Sequence, residues 1–191
     1  SVLVRFAPKP SYAGKTITAI AKERKESTAE TLMQLIKIAT DYKTANPNTG
    51  GIEALAGKSM NDSDVSKFIQ WEHANICSDG AAGGHPRGYG AFTRVLGKYV
   101  REEQLLTLSE AVHKMTGLTA EQLGIKKRGK IAVGYFADLV LLDPSTVNDL
   151  ATIENGKALS TGIEQVWVNG KMVYKMQKAT GELPGALIKR N

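Results

Sequence analysis

Apolar positions along this chain recur at two spacings, and the change from one to the other falls near residue 118. Up to that point most of them repeat every three or four residues, as on one face of a helix. Ile17, Ile20 and Ala21 predict a short helix, and Leu32, Leu35, Ile36 and Ala39 predict a longer one with that face against a core. Phe92, Val95, Leu96, Tyr99 and Val100 predict a third, and Ala111, Val112 and Met115 a fourth. Two of these carry start signals. Ser27-Thr28-Ala29-Glu30 and Thr107-Leu108-Ser109-Glu110 are capping boxes, in which hydroxyl and carboxylate satisfy the orphan amides of a first helical turn. Residues 61–64 give a further start ahead of Val65, Phe68 and Ile69, and Thr119 to Leu123 is long enough for one turn.

The other spacing is that of strands. Val2 to Phe6 reads as a strand, as does the short apolar run 74–78. After residue 130 the chain reads as β throughout, with runs at 137–143 and 163–174. Asn169-Gly170 inside the second run predicts a tight hairpin, because a type I′ turn needs positive φ at both central residues. Residues 43–60, with Asn46-Pro47-Asn48-Thr49-Gly50-Gly51 among them, are expected to be a loop-rich excursion without regular structure. Two structural parts follow, 1–117 and 118–191, with the boundary inside 118–130.

Composition narrows the picture. A chain of 191 residues with 42% hydrophobic and 23% charged residues is that of a globular protein with a sizeable core. No apolar run approaches the roughly 20 residues of a membrane-spanning helix. The net charge of +6 is scattered, and its one dense cluster, Lys126-Lys127-Arg128 with Lys130, has no interleaved aromatics, which argues against nucleic acid as a partner. A single cysteine excludes an internal disulfide framework. The first residues, Ser1-Val2-Leu3-Val4-Arg5-Phe6, read like the middle of a strand and suggest a processed or truncated start, so cytoplasm and periplasm both stay open.

The chemistry gathers in one place. Ala74-Asn75-Ile76-Cys77-Ser78-Asp79-Gly80 is an apolar strand ending in a carboxylate, and His85-Pro86-Arg87-Gly88-Tyr89-Gly90 follows at once. An α/β barrel presents its catalytic groups in this manner, at the C-terminal ends of its strands. Strand alternation puts Cys77 on the face of Asp79, where a buried small hydrophobe is the expected role for it. Asp79 suits proton transfer, first from a metal-bound water and then to a leaving amine, but capping the next loop is an equally ordinary role for a strand-end Asp. Gly80, Gly83, Gly84, Gly88 and Gly90 allow close approach of a ligand, and Arg87 offers a fork suited to a carboxylate. His85 can donate to a substrate or to the loop backbone; Tyr89 can reach the same region or pack on the rim. His73 and His113 read as surface or packing residues. No HxH, HxxxH or CxxC pairing is present, so a tight metal site cannot be assembled from this chain alone.

Ser78-Asp79-Gly80 and the run from His85 to Glu102 closely resemble the N-acyl-D-amino-acid deacylases of the amidohydrolase superfamily. Residues 129–140, Gly-Lys-Ile-Ala-Val-Gly-Tyr-Phe-Ala-Asp-Leu-Val, are similar to the segment with which amidohydrolases return from barrel to β-sandwich. Residues 166–171 and 180–185 resemble that family's last strands and tail.

The resemblance implies an α/β fold: the C-terminal part of a TIM-like (β/α)8 metal-dependent hydrolase barrel over 1–117, then the C-terminal strands of a small β-sandwich over 118–191. It implies zinc-dependent hydrolysis of N-acyl-D-amino acids, with the zinc ligands upstream of Ser1 in the N-terminal part of the same enzyme. By the same resemblance Asp79 handles the water and leaving-group protons close to the metal or its water, and Arg87 grips the substrate α-carboxylate; His85 and Tyr89, from their place in the same loop, are expected on the substrate side. The segment 43–60 corresponds to an insertion near the active site. Two alternatives stand beside this: an amidohydrolase of cyclic amides, hydantoinase- or dihydroorotase-like, and an incomplete fragment acting only as a structural or binding subunit. The apolar faces at Leu32/Leu35/Ile36 and Val95/Leu96/Tyr99 are expected to be covered, by the rest of the barrel in a separate polypeptide or through association of fragments.

Overall fold

The computed structural model describes residues 1–57, 60–80, 85–153 and 155–188. The chain divides into two compact units, Ser1–Asn61 and Asp62–Asn191.

The first unit is built on strand β1 (Val2–Phe6), helices α1 (Ile17–Arg24) and α2 (Thr28–Ala45), and strand β2 (Glu53–Ala56), which pairs antiparallel with β1. Thr16 caps α1 by accepting from the Ala19 amide at 3.0 Å. The Ser27–Glu30 capping box is formed at the head of α2: Ser27 Oγ accepts from the Glu30 amide at 3.2 Å, and Glu30 accepts from the Ser27 amide at 3.0 Å. Leu3, Phe6, Tyr12, Ile17, Ile20, Leu35, Ala39 and Ile52 form one core.

One expectation is corrected in this unit. Residues 43–60, expected to lack regular structure, hold the end of α2 and the whole of β2. A strand of four residues among turn-formers carries too little pattern to read, and it exists because β1 supplies its ladder. On α2, Leu35 and Ala39 are buried, with Thr31, but Leu32 and Ile36 are 40% and 58% exposed. Positions 31, 35 and 39 form one row along the helix; Leu32 and Ile36 stand about 100° around from it.

The second unit holds α3 (Asp62–Gln70), α4 (Arg87–Arg94, continued with π-helical hydrogen bonding over Val95–Glu102), α5 (Leu108–Met115) and α6 (Gly117–Gln122). Its four-stranded antiparallel sheet has the order β3 (Leu139–Leu142), β4 (Ile163–Val168), β5 (Lys171–Lys175), β6 (Lys178–Ala179). The Thr107–Glu110 capping box is complete at the head of α5. The β4–β5 hairpin turns on Asn169 and Gly170, with φ of 49° and 79°. Val95, Leu96, Leu106, Ala111 and Val147 form the core. Val95 and Leu96 are thus covered by their own unit, contrary to the expectation that other chain must cover them; Val112, expected inward, is 39% exposed.

Residues 74–78 are not a strand. Main-chain pairing makes a strand, and among the described residues no strand runs beside this one. The period of two survives nonetheless: Ala74, Ile76 and Ser78 are half-buried, whereas Asn75, Cys77 and Asp79 are exposed. Cys77 therefore shares the face of Asp79 as expected, but its thiol is exposed rather than buried.

Candidate active site

Asp79 sits where the extended segment breaks, with φ of +44°, a left-handed conformation open to Asp among few residue types. The Gly80 amide that follows donates to Ser78 Oγ at 3.2 Å. Residues 81–84, with Gly83 and Gly84 among them, lie outside the described residues. The chain returns at His85 and enters α4 through Pro86, whose φ of −50° suits a helix start.

Arg87, Gly88 and Gly90, expected in a glycine-rich loop, therefore belong to the first turns of a helix. Gly90 is buried, and a Cβ there would lie 2.9 Å from Asp149 Cβ, so its glycine answers a packing demand rather than ligand approach. Gly80 differs. A Cβ on it would come within 3.0 Å of Gly88 Cα, which brings the end of the Asp79 segment against the head of α4.

Three of the four expected site residues are in direct contact. Arg87 Nη2 lies 2.9 Å from Asp79 Oδ2, and Arg87 Nε donates to the Asp79 carbonyl at 2.9 Å. His85 Nδ1 accepts from the Arg87 amide at 3.2 Å, which leaves Nε2 as the donor of the ring. Tyr89 faces other neighbours: its carbonyl accepts from Ser160 Oγ at 3.1 Å, and with Arg87 it lines a cleft of about 280 Å³ whose walls include Phe92, Ile163, Val166 and Val173. His73 and His113 are exposed, as expected of surface residues.

The segment leading to Asp79 is held from the α5–α6 side, by residues that the sequence reading passed over. Lys114 Nζ donates to the carbonyls of Trp71 and Ala74 at 2.5 and 3.2 Å. Gln122 accepts from Asn75 Nδ2 at 2.7 Å and donates to the His73 carbonyl at 2.9 Å. The signal was legible in one respect: Lys114 stands three residues after Ala111, a cation on the apolar row of α5.

Zinc asks for three or four His, Cys or carboxylate ligands. Among the described residues no group of three or more His, Cys, Asp or Glu converges, and the carboxylate of Asp79 has a guanidinium at its side. The described residues do not amount to a zinc site.

Residues 74–174 match the amidohydrolase family, and the chain belongs to it. It is 37% identical over its whole length to the D-aminoacylase of Alcaligenes xylosoxydans xylosoxydans, and 45% identical over 135 residues, 69% of the chain, to the N-acyl-D-glutamate deacylase of the same organism. A crystal structure of N-acyl-D-glutamate deacylase from Bordetella bronchiseptica, complexed with zinc and a phosphonate mimic of the tetrahedral intermediate, superposes with a TM-score of 0.79 at 33% identity over 99% of this chain. The chain spans about a third of the length of these relatives: 37%, 28% and 37% respectively.

Proposed function

We propose that this chain is part of an enzyme that hydrolyses the amide bond of N-acyl-D-amino acids and that it contributes the proton-transfer carboxylate and the carboxylate-binding arginine. Residues 1–117 would belong to the barrel and 118–191 to the sandwich; the zinc of such an enzyme would be held outside the described residues. One observation carries the reading. Asp79 and Arg87 are joined side chain to side chain within the stretch that matches the family.

The chemistry of these residues follows from their types. An ionised Asp79 takes a proton from the attacking water and returns it to the departing amine, so the same carboxylate serves both halves of the reaction. Arg87 binds the substrate α-carboxylate through a paired fork, which fixes the scissile amide relative to Asp79. His85 donates from Nε2 to the substrate, and Tyr89 lines the side toward the cleft.

Asp79→Asn in the full-length protein tests the reading. It keeps the shape and removes the base, so turnover of N-acetyl-D-amino acids is expected to fall by about 10²- to 10⁴-fold with bound zinc unchanged. Near-wild-type turnover would sink the assignment.

A further inference from the structure

We propose that Lys114, seconded by Gln122, is a positioning residue for Asp79. The inference rests on the reading of Asp79 as the proton-transfer group.

Among the described residues Lys114 is the one charged side chain in the interior, at 4% exposure. Its ammonium is answered by main-chain carbonyls, those of Trp71 and Ala74. A buried cation is costly, and a methionine of similar length would fill the same space without that penalty. What the charge adds is a grip on the chain just beyond α3, where carbonyls freed at a helix C-terminus favour a cation. The Trp71 amide still bonds back to the Lys67 carbonyl at 3.1 Å, so this grip starts at the last turn of α3.

The grip continues residue by residue toward the site. The Ile76 amide donates to the Lys114 carbonyl at 3.4 Å, and Gln122 holds both His73 and Asn75. Every residue from His73 to Ile76 is thereby tied by a hydrogen bond to α5 or α6. The Ile76 side chain also packs on the core of the unit. Asp79 lies three residues beyond the last of these ties, on the face set by the alternation of 74–79. Its own side chain is 73% exposed and touches Arg87, so packing around the carboxylate does not fix its place. The anchored run brings the residue to its two contacts with Arg87, and proton transfer is sensitive to displacements of about 1 Å.

The test uses the full-length protein and N-acetyl-D-amino acids. Lys114→Met is expected to lower kcat about 10- to 100-fold with KM within about twofold, because the carboxylate-binding Arg87 sits on α4 and not on the anchored run. Lys114→Arg, which keeps the cation, is expected to restore part of kcat. Gln122→Ala, on an exposed residue, is expected to lower kcat about threefold or more at unchanged Tm, and it decides the matter where Lys114→Met does not fold. Unchanged kcat in a folded Lys114→Met or in Gln122→Ala overturns the proposal. So does a kcat loss that only tracks the folded fraction. Asp79→Asn in the same series separates the two readings: if it stays active, the proposed function falls and this inference with it, whereas an inactive Asp79→Asn beside normal Lys114 and Gln122 variants removes this inference alone.

Discussion

Arg87 holds Asp79 at two points, Nη2 on the carboxylate and Nε on the main-chain carbonyl, both at 2.9 Å. Both side chains are substantially exposed, and an exposed ion pair contributes about 0–1 kcal/mol. The pair is therefore easily exchanged for a better one. On the proposed function, a substrate carboxylate that offers two oxygens to the same fork would displace Asp79 and free its carboxylate for proton transfer.

Arg87→Lys tests the role of the fork. A lysine keeps the charge but offers a point contact in place of two parallel bonds. We expect KM for an N-acyl-D-amino acid to rise about tenfold, with a smaller change in kcat, while KM for the corresponding N-acyl amino amide, which has no carboxylate, barely moves. If the wild type binds acid and amide equally well, Arg87 does not grip the carboxylate.

Gly80→Ala tests the close approach. The new Cβ would lie 3.0 Å from Gly88 Cα and 3.1 Å from Ser78 Oγ, and the nearer obstacle is backbone in the first turn of α4, which cannot rotate away. The two segments must move apart by tenths of an ångström, and the Asp79–Arg87 contact opens with them. Activity is expected to fall about tenfold with the melting temperature nearly unchanged. Gly185→Ala, where a Cβ meets nothing within 4 Å, is the matched control and should leave activity as it is. Equal activity in both variants would show that the approach of the two segments is immaterial.

Local features of the fold were legible in the sequence, and features made by distant partners were not. Both capping boxes and the Asn169-Gly170 hairpin form where they were read, because each is decided within four residues. On α2 this unit's core takes Leu35 and Ala39 and leaves Leu32 and Ile36 out, a choice of neighbour that periodicity does not contain. Residues 74–78 keep the alternation of a strand without the ladder, since a ladder needs a second chain segment. At the site the residue types of Asp79, His85 and Arg87 were legible, but their contact was not, and neither was the helical state of Arg87 to Gly90. Lys114 was missed because a lysine on a helix is ordinarily solvated, and its burial depends on carbonyls some 40 residues away.

Asp138 ties the hairpin to the basic turn, and this gives the second unit an acid-sensitive joint. Its carboxylate accepts from the Asn169 amide at 2.8 Å and pairs with Arg128, whose guanidinium also donates to Asn169 Oδ1 at 2.6 Å and stacks 4.1 Å over the Phe136 ring. Partial burial pushes the Asp138 carboxyl up, but the Asn169 amide and the Arg128 guanidinium outweigh it and hold the group below the usual carboxylate range. Glu110 is lowered in the same sense by the Thr107 amide and hydroxyl, and Asp143 by the Ser145 hydroxyl and amide. A depressed carboxyl binds fewer protons in the folded than in the unfolded state, so its contribution is present above the unfolded pKa of about 4 and is lost as pH falls through the folded value. The melting temperature is therefore expected to be flat between about pH 7 and 5 and to drop below about pH 4. Asp138→Asn should lower the melting temperature at neutral pH, because Arg128 loses its ionic partner, and should make the acid decline shallower. Melts of wild type and variant between pH 7 and 3 check this. Curves that stay parallel down to the lowest pH would mean that Asp138 does not contribute to the acid response.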